Sequence, residues 1–289
     1  MSTVSVTLNQ EQIKELIKVF NKDEFSTPPA YALYQVRTEE CVITIYESKK
    51  VVFQGKNAEL FASKYTSIAP KTKQTDSLPQ CGSDEVGTGD YFGPICVVAC
   101  AIDESIRSKI AHLNIQDSKQ ITDAMILKMG QELISIVPYS ICILTNEKYN
   151  LVHDTNNMNA IKAKLHNQCY INLQTKIKSL PKLKIVDQFT TPTSYYNYLK
   201  DEPVVIKDIT FETKAENKFI SVACASIIAR YIFLQEWEKM EQQYGFTFPK
   251  GASTTVDNAA RNFIKIHGID ELNKTAKVHF KNTLKAQEN

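Results

Sequence analysis

No apolar run in this sequence approaches the roughly 20 residues that a membrane-spanning helix needs. The N-terminus, MSTVSVTLNQEQIKEL, lacks the charged start and apolar core of a secretion signal. No two of the seven cysteines stand in a CxxC arrangement, and an odd number without paired spacing speaks against both a zinc site and a disulfide scaffold. The thiols read instead as small buried apolar side chains in a reducing compartment, and a cytoplasmic location is expected. The five histidines form no HExxH motif, and no GK[ST] follows the glycines at 87–93, which excludes a P-loop. Charge of one sign is also lacking. The net charge is only +2, from 34 basic and 32 acidic side chains, a balance that neither demands nor excludes a nucleic-acid partner. Glycine is sparse at nine residues in 289, and the 43% hydrophobic content provides for a sizeable core without signs of disorder.

Scarce glycine makes its one concentration informative. Cys81–Pro94 reads CGSDEVGTGDYFGP, with Gly87, Gly89 and Gly93 directly after an adjacent acidic pair, Asp84 and Glu85. Glycine turns expose backbone N–H groups and carboxylates bind hard cations, so the combination suits a divalent metal and an oxygen-rich, phosphate-like ligand. Ile95–Ile102 (ICVVACAI) follows as an apolar run and reads as a buried strand. Successive side chains on a regular strand point to opposite faces, so both acids serve one site only if the strand ends or bulges there. The glycines permit that.

The length favours one large or two unequal domains. Gln10–Phe20 places Ile13, Leu16, Ile17 and Phe20 at helical spacing, with Asn9 as a cap. Tyr31–Val36, Cys41–Tyr46 and Val51–Phe53 read as short strands, and Asn57 caps a second helix through Tyr65. The N-terminal unit therefore reads as helix, three strands, helix. Residues 66–80 hold two prolines and five serines or threonines without periodicity, the composition of a linker. Beyond it, helices are expected at Ser105–His112, Asp123–Val137, Asn156–Ser179 and Asn217–Gln243, and strands at Tyr139–Leu144, Leu183–Val186 and Val204–Ile206. This alternation implies an α/β domain, a mixed sheet with helices on both faces.

Asp187 stands at the end of the short apolar strand in KLKIVDQF, where open α/β sheets place their sites. Glu216 stands in FETKAENKFISVACASIIARY, just before a helix whose Ala223, Ala225 and Ser226 allow close approach to a sheet. Asp84, Glu85, Asp187 and Glu216 thus come from three separated segments. Such a donor set suits two Mg²⁺ or Mn²⁺ ions and phosphoryl transfer to water, and its mutual repulsion should raise at least one carboxyl until metal binds. Tyr195, Tyr196 and Tyr198 are expected to pack half-buried rather than stack on nucleic acid. His153, His166 and His267 read as structural or exposed, while His279 could lend support near the site.

DEVGTGDYFGP, then Asp117-Ser118-Lys119, the strand-end Asp187, KAENKFISVACASIIAR and the terminal VHFKNT together resemble the type 2 ribonuclease H family, over residues 81 to 283. The loop Gly87-Thr88-Gly89 and the acid Glu216 are similar to the ribonuclease HIII branch. The resemblance implies a ribonuclease H-like catalytic domain over 81–289, a linker at 66–80, and a small α+β substrate-binding domain over 1–65 resembling half of a TATA-binding protein. It implies an endoribonuclease that cuts the RNA strand of RNA/DNA hybrids with two divalent ions, leaving 5′-phosphate and 3′-hydroxyl ends, and acting as a monomer. By the same resemblance Asp84, Glu85, Asp187 and Glu216 hold the metals, Gly87, Thr88 and Gly89 meet ribose 2′-hydroxyls through backbone groups, and Lys119 lies near substrate phosphates. Residues 1–80 carry ten basic and nine acidic side chains, so bulk charge does not announce a nucleic-acid domain. Residue chemistry alone leaves two other assignments open: a metal-dependent nuclease on another structured nucleic acid, or a non-catalytic hybrid-binding module.

Overall fold

Val4 and Val6, alternating with Ser and Thr, turn one face of strand β1 (Ser2–Thr7) inward. The structure is a computed structural model that describes residues 2–8, 10–21, 24–39, 41–55, 58, 62, 77–115 and 122–288. It falls into two compact units, Met1–Lys73 and Gln74–Asn289. In the first, helix α1 (Gln10–Lys18) follows β1, then come β2 (Phe25–Ser26), β3 (Ala32–Arg37), β4 (Cys41–Tyr46) and β5 (Lys50–Gly55). They make one antiparallel sheet in the order β1-β5-β4-β3-β2. The sheet has five strands rather than three, because β1 pairs with β5 along Ser2↔Gly55 to Thr7↔Lys50, and β2 adds at the other edge. Leu16 of α1 packs with Val36, Ile43, Ile45, Val51 and Phe53 on one face. Asn9 and most of the helix expected at 57–65 lie outside the described residues; of that helix Ala58 and Ala62 are described, and both are buried in this core. The opposite face is polar. There Ser26 Oγ donates to Gln35 Oε1 at 3.0 Å, Gln35 Nε2 to Thr44 Oγ1 at 3.2 Å, and Arg37 to both Ser26 and Gln35.

The second unit is built on β6 (Gln80–Val86) and β7 (Ile95–Ile102), the latter buried at every residue. Helices α2 (Glu104–Ile110) and α3 (Asp123–Ile136) lead to β8 (Tyr139–Leu144); α4 (Asn146–His153) and α5 (Met158–Ile177) lead to β9 (Leu183–Asp187). Then come α6 (Pro192–Tyr198), β10 (Ile209–Glu212) and α7 (Ile220–Tyr244), followed by α8 (Thr254–His267), α9 (Ile269–Thr275) and α10 (Lys281–Gln287). The sheet runs β10-β9-β6-β7-β8, with β6, β9 and β10 parallel and β7 antiparallel to β6 and β8. One face packs on α7, backed by α3, and the other on α5. Together they form the mixed α/β domain expected, with helices on both faces.

Close contact between β6 and α7 rests on Gly82. A Cβ there would lie 2.6 Å from both Ser221 Oγ and Val222 N, so only glycine lets the strand seat against the helix. Ser221 Oγ donates to Gln80 Oε1 at 2.8 Å and Cys100 Sγ to Ser221 O at 3.0 Å, which ties both central strands to the first turn of α7.

The strand expected at Val204–Ile206 is not one. The Asn167 side chain of α5 takes the place of a partner strand: its Nδ2 donates to Val204 O at 2.8 Å and its Oδ1 accepts from Ile206 N at 2.9 Å. The fifth strand is β10 instead, five residues on, paired Ile209↔Lys184 to Glu212↔Asp187. The tyrosines of α6 pack as expected: Tyr195 is buried, edge-on to Tyr196 and Phe211. All seven cysteines are free thiols, six of them buried. No helix among the described residues is long and apolar enough to cross a membrane.

Candidate active site

Asp84 and Glu85 follow each other on β6 without a bulge, since pairing with β7 runs regularly through Asp84↔Val98, Glu85↔Val97 and Val86↔Cys96. On its other edge β6 loses its partner after Ser83↔Val186. The bulge that would turn both acids to one face is absent: they stand just beyond that last rung and point to opposite faces, so they can share a site only around the side of β6 that β9 has left open. Asp84 faces α7, where the Ser226 hydroxyl bonds its carboxylate, and it also accepts from Glu85 N at 2.7 Å. Glu85 faces α5, pairing with the Lys162 ammonium through Oε1 and with His166 Nε2 at 2.8 Å through Oε2.

Asp187, the last residue of β9, accepts from Ala215 N at 2.8 Å, and Gln188 N donates to Glu212 O at 3.1 Å. The first bond fixes the end of β9 to the 3₁₀ turn Ala215–Asn217, which carries Glu216 just ahead of α7, and the second ties it to the end of β10. Glu216 Oε1 accepts from Asn217 Nδ2 at 2.8 Å.

The four acids act on one another electrostatically. Burial, Glu85 and Asp187 push the Asp84 carboxyl up to about 8, against the Ser226 bond. Burial raises Asp187 as well, with Glu216 and Glu85 adding to it and Lys162 opposing. Burial alone would raise Glu85, but the bonds and charge of His166 and Lys162 outweigh it and hold that carboxyl below its ordinary value. No three His, Cys, Asp or Glu side chains among the described residues are arranged to hold a metal ion. The donor chemistry nevertheless suits a hard divalent cation, because carboxylates gathered where β6 and β9 end repel one another and a cation would relieve that repulsion. Seating one requires side-chain rotation and, for Glu85, a change of partner.

The repulsion has a measurable sign. Asp84 binds its proton more tightly folded than unfolded, so its stabilising contribution is complete below pH 4 and is lost as pH rises through about 8. Asp84→Asn should therefore stabilise the chain in EDTA by roughly 3 kcal/mol at pH 9, with little gain at pH 5. Thermal melts at the two pH values check this; a variant less stable than wild type at pH 9 contradicts it.

The glycine turn lies beside these acids in sequence. Gly87 is buried with φ +91°, and a Cβ there would meet Pro94 O at 2.2 Å, so the turn itself demands glycine. Gly89 differs: it is exposed, and a Cβ would meet nothing within 4 Å. The fold does not require glycine at 89, and the turn leaves its backbone open to an approaching molecule.

Sequence reasoning missed the residue that anchors this turn. Lys277 is fully buried, and its ammonium donates to Asp90 O at 2.8 Å and Gly93 O at 2.6 Å, while burial pushes it down to about 7. From the same segment Thr275 O accepts from Gly93 N at 2.9 Å. Lys162 and His166 were missed as well, His166 being read only as structural or exposed. It is buried and bonds Ser83 Oγ through Nδ1 at 2.7 Å besides Glu85. Their four-residue spacing, one helical turn, was the available signal. His279 stacks on His153 with centroids 3.8 Å apart, away from the four acids' direct partners. Asp117, Ser118 and Lys119 lie outside the described residues.

Carboxylates at the ends of neighbouring strands in a mixed sheet of this order are the architecture of a ribonuclease H-like nuclease. The family model of ribonuclease HII matches residues 81–283, and that of a domain of unknown function, DUF3378, matches residues 3–77. Ribonuclease HIII of Bacillus pumilus is 39% identical, covering 96% of each chain. Ribonuclease HIII of Exiguobacterium sibiricum is also 39% identical, over 99% of this chain and 97% of its own. The crystal structure of Bst-RNase HIII in complex with Mn²⁺ superposes with a TM-score of 0.72 at 38% identity, covering 99% of this chain and 98% of that one. The chain belongs to the ribonuclease HII family, and within it to the ribonuclease HIII branch. Its enzyme class is ribonuclease H.

Proposed function

We propose that the chain hydrolyses the RNA strand of RNA/DNA hybrids endonucleolytically, with two Mg²⁺ or Mn²⁺ ions held by Asp84, Glu85, Asp187 and Glu216, leaving 5′-phosphate and 3′-hydroxyl ends. The carrying observation is the meeting of these carboxylates at one end of the sheet: Asp84 and Glu85 follow the last rung between β6 and β9, Asp187 ends β9, and its bond to Ala215 N ties it to the 3₁₀ turn that carries Glu216. Bst-RNase HIII, similar over nearly its whole length, binds Mn²⁺. When bound, the two ions would activate water on one side of the phosphodiester and stabilise the leaving 3′-oxygen on the other.

The protein's part is placement. Ala215 N aims Asp187, Ser226 and Glu85 N aim Asp84, and the 3₁₀ turn brings Glu216 alongside the end of β9. Gly87, Thr88 and Gly89 would present backbone groups to ribose 2′-hydroxyls, the feature that separates RNA from DNA. The open space at Gly89 suits that approach. The polar face of the N-terminal sheet, with Arg37 bonded to Ser26 and Gln35, suits phosphate and sugar contacts that position a duplex without reading its bases.

The test is cleavage of end-labelled substrates with Mg²⁺ or Mn²⁺: an RNA/DNA hybrid, a DNA duplex with one ribonucleotide, duplex RNA and single-stranded RNA. Cutting of the hybrid alone is expected. The loop at Gly87–Gly89 is taken to check several consecutive riboses, so strong cutting at the lone ribonucleotide contradicts that part of the reading, and no cutting with either ion contradicts the whole of it.

A further inference from the structure

Lys162 is a long cationic side chain only 8% exposed, on the face of α5 that covers β6. Two contacts define where its charge sits. The ammonium pairs with Glu85 Oε1 and lies 4.0 Å from the centroid of the Phe189 ring, and its charge opposes in small part the rise of the Asp187 carboxyl. Glu85 and Asp187 belong to neighbouring strands and are two of the four acids assigned to the metals. The Lys162 charge therefore sits on Glu85, on the strand beside the one that Asp187 ends, where a divalent ion held by Glu85 would have to sit. His166 completes the arrangement by occupying Glu85 Oε2, so both oxygens of Glu85 are engaged.

We propose that Lys162 is a resident cation, holding the place of a divalent ion at Glu85 and Asp187 and exchanging with it, so that this lysine sets the metal affinity of the site. The inference rests on the metal reading given above. A buried carboxylate left without a partner is costly, so a site that must stand empty between encounters benefits from an internal counter-charge. The same charge opposes the incoming ion. Phe189 makes the exchange feasible, because its ring face gives the ammonium a second seat once Glu85 is released. The ring is itself steadied by stacking on His166, centroids 5.4 Å apart and planes 22° from parallel.

A merely positioning role predicts the opposite response. If Lys162 only held Glu85 in a ligating pose, its removal would weaken metal binding. If it competes, removal must strengthen binding. Calorimetric titration of Mn²⁺ into the metal-free full chain separates the two without reference to cleavage. Lys162→Met is expected to bind Mn²⁺ with a Kd roughly tenfold lower than wild type, the scale of one screened unit charge at close range. Lys162→Gln, which keeps a donor for Glu85 and loses the charge, should shift the same way and serves if the methionine variant fails to fold. Phe189→Leu keeps the ion pair and removes the second seat, so its Kd should rise about threefold, a fraction of a cation–π contact.

A Kd that is unchanged or higher in both Lys162 variants overturns the proposal, as does tighter binding in Phe189→Leu. Asp187→Asn is the control for the underlying reading. Wild-type Mn²⁺ binding that survives unchanged in that variant, or no binding in wild type, overturns the metal assignment itself, whatever the Lys162 variants do.

Discussion

Asp187→Asn is expected to lower hybrid cleavage by at least roughly 10³-fold, since losing one metal-ligating charge removes several kcal/mol of transition-state stabilisation. Hybrid binding and folding should be nearly unchanged. The substitution keeps the side chain's shape, and an amide oxygen can still accept from Ala215 N, which holds the end of β9 to the 3₁₀ turn. Burial, Glu216 and Glu85 all disfavour the charged form of Asp187, so a neutral residue relieves the fold. The signature is a kcat collapse with an unaltered hybrid Kd and a melting temperature equal to or above wild type. Turnover within tenfold of wild type would contradict the assignment of Asp187.

Gly82→Val is expected to destabilise the chain by roughly 3 kcal/mol, at the upper end of overpacking costs. The atoms in the way are not flexible ends. Val222 N belongs to the backbone of α7, and Ser221 Oγ is held on Gln80 Oε1. Accommodating a side chain means prising α7 from β6, which disturbs Ser226 against Asp84 and the turn before α7 that bears Glu216. Chemical denaturation measures the loss, and residual folded protein should cleave poorly. A variant as stable as wild type would mean that β6 and α7 do not pack as closely as described.

The parts legible in the sequence are those whose signal is local. Ile95–Ile102 announced a buried strand because every residue is apolar, and the spacing of Met158, Ile161, Leu165, Cys169 and Leu173 marked α5 as a helix. Asp187 was legible because a short apolar strand delivers it at its end. β1 escaped because Val4 and Val6 are its only large apolar residues and its partner, β5, is distant in sequence. The apolar triplet at Val204–Ile206 misled because a side chain from α5, not a strand, satisfies its backbone.

Within the site, the four acids could be picked out as chemistry, but their arrangement could not. That β6 would continue regularly past Asp84, turning the two acids to opposite helices, is set by its pairing with β7. Lys162, His166 and Lys277 gain their roles from long-range packing: the first two because α5 covers Glu85, the third because its segment runs beside the glycine turn. A buried lysine looks like any other lysine until its surroundings are known.

The most direct measurement of the central claim is the single-turnover rate of RNA-strand cleavage in an end-labelled hybrid as Mn²⁺ is raised from zero in EDTA-treated protein. The account predicts no cleavage without the ion and a rate that climbs more steeply than first order at low concentration, as a requirement for two ions demands. Undiminished cleavage in EDTA would contradict a carboxylate-held metal site at Asp84, Glu85, Asp187 and Glu216.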